Sequence, residues 1–147
     1  RASADTIARA ISGLLLRIGT YGDPFAAPVE YWQALVKHVA GHSGYSHAWK
    51  NPNFDHAAWA PLLMASADSI DDAAHANLLG MRVFRVSIGV DKQAGETTCP
   101  ASAEGGKRAT CASCLLCAGT SKQARDIVIA DHAAGHKRRV ISIGVAA

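Results

Sequence analysis

No run of 18 apolar residues occurs in the 147-residue chain, and residues 1–9 lack the apolar core of a secretory signal. A soluble protein without a membrane partner is the expectation. A strong charge of either sign is also missing. Charged residues make up 18% and the formal net charge is +3, below the density that by itself announces a nucleic-acid binder. There is no P-loop, no dinucleotide-binding glycine motif and no Ser-His-Asp order. Gly19-Thr20-Tyr21-Gly22 has neither the lysine nor the spacing of those phosphate-cradling loops. Cysteine is absent from 128 of the 147 residues, because all four fall within 19 consecutive positions. Thiols so bunched do not staple distant parts of a secreted fold. They point to metal ligation in a reducing compartment, here the cytoplasm.

What is present suffices for one domain spanning residues 1–147, since 49% of the residues are apolar. Apolar runs at 14–18, 61–65, 81–88 and 127–130 read as strands, with another short strand at 44–49 and a last one at 140–145. Helical spacing of Leu35, Val36 and Val39 predicts a helix over 29–39. A second follows Ser69, a good N-cap with Asp71 and Asp72 in the first turn, and stops at Gly80. Strands alternating with helices predict an α/β fold of parallel βα units, of which a partial barrel is one form, with helices on both sheet faces. A cysteine-rich metal-binding insertion is expected at 95–120.

Cys99, Cys111, Cys114 and Cys117 supply four thiolates, the number that a cubane iron–sulfur cluster or a tetrahedral zinc ion needs. Zinc sites usually pair two separate knuckles. Three cysteines at successive two-residue gaps wrap more naturally around a cubane, so the spacing favours a 4Fe-4S cluster over zinc. The spacing differs from the C-x3-C-x2-C of radical enzymes that use S-adenosylmethionine.

Asp23, His47, Asp68 and the Asp131-His132 pair each follow an apolar strand, where parallel α/β sheets build their sites. Caps and turns also favour Asp after strands, yet together these residues suggest one pocket. In it an Asp or a His, His132 among them because imidazole as a group titrates near neutrality, would accept a proton and Arg85 would bind an anionic group.

The segments Arg17 to Pro24, Gly44 to Trp49, Met64 to Asp68, Phe84 to Val86 and Cys99 to Cys117 carry a family resemblance. Over nearly its whole length the chain resembles an uncharacterised group of phage, prophage and bacterial proteins. That group brings no established activity. The resemblance implies a further cysteine-containing region ahead of Arg1, which would make this chain a C-terminal portion. Two basic clusters, Lys107-Arg108 and Lys137-Arg138-Arg139, suit a nucleotide or nucleic-acid substrate in a phage setting. Two readings result: an enzyme on such a substrate, or a non-catalytic nucleic-acid-binding module with a structural zinc.

Overall fold

The computed structural model describes residues 4–89 and 91–131. Along the chain lie α1 (Ala4–Ile11), β1 (Leu15–Ile18), α2 (Val29–Val36), β2 (Gly41–Ser46), α3 (His56–Trp59), β3 (Met64–Ala67), α4 (Ile70–Leu78), β4 (Val83–Ser87), β5 (Glu96–Thr98), α5 (Cys111–Cys114) and β6 (Asp126–Ala130). The six strands form one sheet in the order β1-β2-β3-β4-β6-β5, and every neighbouring pair is parallel. The fold is α/β.

Local chemistry explains the boundaries. Ser69 caps α4 by accepting from the Asp72 amide at 3.0 Å, and Gly80 beyond the helix takes a φ of 79°. α4 buries Ala73 and Ala76, small residues that let it lie close to β3 and β4. α2 ends at Val36, short of the expected position 39, because the chain must turn before β2 starts at Gly41. β3 begins at Met64, not 61, since Pro61 has no amide proton to give the ladder. The expected strand at 140–145 lies outside the described residues.

Strand register sorts the side chains onto two faces. Ile18 opposite Gly44, Ser46 opposite Ala65 and Ala67 opposite Arg85 define one face. It packs into a core with Trp49, Phe54, Trp59 and Leu63, and the fully buried Trp49 indole N–H donates to the Ser66 carbonyl at 2.7 Å. The other face carries Arg17, Ser43, Tyr45, Phe84, Ile127 and Ile129. Helices were expected over both faces. Among the described residues the second face instead meets the segment that contains the cysteines, whose only α-helix is the single turn α5.

Candidate metal centre

β5 and β6 are adjacent and parallel, so residues 99–125 must return from the carboxyl edge of the sheet to its amino edge. A helix usually makes such a return. Here the cysteine segment makes it, across the second face. Cys99 leaves β5 with its amide still donating to the Val128 carbonyl at 2.9 Å. Its own carbonyl accepts from the Ser102 amide at 3.1 Å and from Ser102 Oγ at 2.9 Å. The turn closes so tightly that a Cβ on Gly105 would lie 1.9 Å from the Cys99 carbonyl oxygen.

Thr110 then starts α5. Its hydroxyl accepts from the Ser113 amide at 3.2 Å while Ser113 Oγ accepts from the Thr110 amide at 3.0 Å, a reciprocal capping box. One helical turn sets Cys111 and Cys114, three residues apart, on the same side. Leu115 ends the turn in the left-handed region with φ 50°. The Cys117 carbonyl is fastened to the sheet by the Gly44 amide at 3.0 Å, and Thr120 by donation to the Ala60 carbonyl at 2.7 Å.

All four cysteines border one cavity of about 450 Å³, whose walls on the sheet side are Tyr45, Phe84, Ile127 and Ile129. None of the four is in a disulfide. Burial, with Cys99, Cys114 and Cys111 close by, pushes the Cys117 thiol up to about 12, and Arg82 pulls in the opposite direction. The Tyr45 and Phe84 rings stack at 5.0 Å. Arg17 donates to the Tyr45 hydroxyl and brings Nη1 to 4.0 Å from Cys111 Sγ. Arg17 and Lys107 put two cations on the cavity lining. Among the described residues, no three His, Cys, Asp or Glu side chains are arranged to hold a single metal ion as they stand. The thiols border a space rather than meeting at a point.

Arg82, which sequence patterning did not single out, holds the far limb of this segment. Its Nη1 donates to the carbonyls of Leu116 at 2.7 Å, Gly119 at 3.0 Å and Lys122 at 3.3 Å, and its Nη2 to that of Arg125. No residue identity at the accepting positions could have signalled this, because every acceptor is main chain.

The other expected site residues lie elsewhere. Asp23, His47 and Asp68 all follow strand ends at the carboxyl edge. Asp23 Oδ1 accepts from Ser46 Oγ at 2.6 Å and the Phe25 amide at 3.0 Å, and Oδ2 from the amides of His47 at 2.8 Å and Ala48 at 3.2 Å. Partial burial works to raise this carboxyl, but the Ser46 hydroxyl and the three amides outweigh it and hold the pKa below 3.8. Such a carboxylate is a clamp between β1 and β2 more than a proton acceptor. The exposed His47 ring reaches back to Ser66 Oγ, at 2.9 Å from Nε2. Asp68 is exposed just beyond β3.

Arg85, expected from the sequence to bind an anionic group, is already engaged within the chain. Its Nε and Nη2 donate to Glu96 Oε1 and Oε2 at 2.6 and 2.7 Å, on the core face. His132 lies outside the described residues, as do Lys137, Arg138 and Arg139. None of Asp23, His47, Asp68 and Arg85 borders the cysteine cavity.

The fold and the site together define a parallel α/β sheet with a four-thiol cavity on one face. Comparison with protein-family models, with curated proteins and with solved structures finds no match for this chain.

Proposed function

We propose that this chain carries one metal centre on Cys99, Cys111, Cys114 and Cys117, an iron–sulfur cluster in preference to zinc. The observation that carries the reading is that four thiols from a short stretch of chain border one cavity. A single zinc ion needs its sulfurs at about 2.3 Å from one point. A cavity of about 450 Å³ with an apolar floor offers a cluster room against the sheet. A cluster there would supply one-electron transfer. The protein's own part is to hold the four sulfurs, to close the floor with Tyr45 and Phe84, and to present Arg17 beside Cys111.

The partner we propose is a nucleotide or nucleic acid, met by the cations Arg17 and Lys107 at the cavity, in a protein of phage or bacterial type. A second reading is a non-catalytic nucleic-acid-binding module with structural zinc. It is favoured by Asp23 and Arg85, whose polar atoms are taken up by internal contacts.

The test is iron, acid-labile sulfide and zinc analysis of anaerobically purified protein, with a visible absorption spectrum. Iron and acid-labile sulfide with broad visible absorption support the first reading. Stoichiometric zinc supports the second. Protein that binds neither zinc nor a reconstituted cluster refutes the centre.

A further inference from the structure

Two arginines are buried in the sheet, and they are treated differently. Arg85 has a carboxylate partner in Glu96. Arg82, only 9% exposed, forms no ion pair among the described residues and spends its Nη groups on four backbone carbonyls. Its Nε is buried with no hydrogen-bond partner. Carbonyl dipoles solvate a guanidinium but do not neutralise it, and a buried charge lacking a counter-charge is costly. The charged or ionisable groups that bear on it are Asp126 and Cys117. Asp126 acts on Arg82 by charge alone, its hydrogen bonds being accepted from the Val83 amide at 2.8 Å and from Asn77 Nδ2 at 3.0 Å. Thiolates gathered on a metal ion or cluster would add negative charge on the side of Cys117, beside that of Asp126.

We propose that Arg82 is the buried counter-charge of the four-cysteine centre, a positioning residue that holds the Leu116 to Arg125 limb by its carbonyls and offsets the charge of the thiolates. The inference rests on the metal-centre reading. It explains why a cation, and not an apolar residue, stands just before β4 against the Leu116 carbonyl, next to Cys117 in the chain. It also assigns the two arginines opposite tasks: Arg85 latches strands to each other, and Arg82 serves the site.

The experiment compares the chain with Arg82→Gln, Arg82→Lys and Asp126→Asn, using Zn²⁺ alone as one probe and anaerobic iron–sulfide reconstitution as the other. Arg82→Gln loses about 10- to 100-fold in Zn²⁺ affinity, the range for outer-shell partners of metal ligands. Arg82→Lys, which keeps the charge but cannot span four carbonyls, recovers part of that loss. Asp126→Asn keeps an acceptor for the Val83 amide and removes a competing negative charge, so it tightens Zn²⁺ binding. In the reconstituted cluster the midpoint potential falls in Arg82→Gln and rises in Asp126→Asn.

A backbone clamp alone would weaken Gln and Lys variants equally and leave Asp126→Asn unchanged, which overturns the counter-charge. If the Arg82 variants do not fold, the sign of the Asp126→Asn effect decides. Failure of the unsubstituted chain to take up either probe sinks the centre itself and this inference with it, whereas uptake with no Asp126→Asn effect sinks the inference alone.

Discussion

The amide of Gly44 donates to the carbonyl of Cys117 at 3.0 Å, so the last cysteine of the set is tied to β2 through main chain. β2 pairs with β1 up to Gly44 and with β3 only from Tyr45 onward. The stagger leaves the Gly44 amide open to the cysteine segment. Cys117 is thereby seated whether or not its sulfur is ligated, while Cys111 and Cys114 hang on a single helical turn.

Hydrogen exchange separates these two parts. On the metal-centre reading, amides between 105 and 114 lose protection in Cys114→Ala and in chelated protein. Those of Gly44 and Thr120 keep theirs, because each bond ties the segment to the body of the fold, Gly44 to the Cys117 carbonyl and Thr120 to that of Ala60. Uniform loss across 99–121 would show that the metal, and not the sheet, holds the segment.

Asp23→Ala removes the acceptor of four donors and costs about 2 kcal/mol, read as a shift in the urea midpoint. Because the folded-state pKa lies below 3.8, the charge-dependent part is complete above the unfolded value and disappears as pH falls through the folded one. The Asp23→Asn variant therefore differs least from the parent in stability at the acid end.

Glu96→Ala leaves Arg85 buried and unpaired, at a cost of about 3 to 5 kcal/mol. The double replacement Arg85→Met with Glu96→Leu costs less, since both desolvated charges go together. Burial acts to raise Glu96, but the Arg85 hydrogen bond, the Gln93 amide and the Arg85 charge bring it below 4.5. The pair's contribution is thus full at neutral pH and fades as pH drops through that lowered value. Thermal melts between pH 7 and pH 3 check the sign.

Gly119→Ala fails on two counts. Its φ is 59°, and the new Cβ would lie 2.1 Å from the Ala60 carbonyl oxygen. The expected loss is about 3 kcal/mol or more, with the Thr120 amide exchanging faster.

Periodicity made β4 legible: Val83, Arg85 and Ser87 alternate with Phe84 and Val86, and the structure buries the first three. The capping Ser69 and the strand ending at Ala130 were equally plain. Glu-Thr-Thr at 96–98 was not, because three residues of modest strand propensity hold only through their neighbour β6. For the same reason the partner of Arg85 was invisible, and the arginine looked free to bind a ligand. Spacing was enough to group the cysteines as one candidate site. Arg82 and the Ser66 contact of His47 depend on register and on main-chain acceptors, which leave no trace in residue identity.

Arg85 on β4 and Glu96 on β5 meet although β6 lies between their strands. The order in which the chain is made therefore differs from the order in which the sheet is completed. Among the described strands β5 has only β6 for a neighbour, and β6 follows the last cysteine. Until β6 is synthesised and slides in beside β4, β5 has no ladder and the cysteine crossover has no floor of Ile127 and Ile129. Without β6 the thiol cavity lacks part of its sheet-side wall, and pairing of that one strand with β4 completes it. On the metal-centre reading, loading early and loading late are then different events, the first onto an unfinished chain and the second through the cavity mouth.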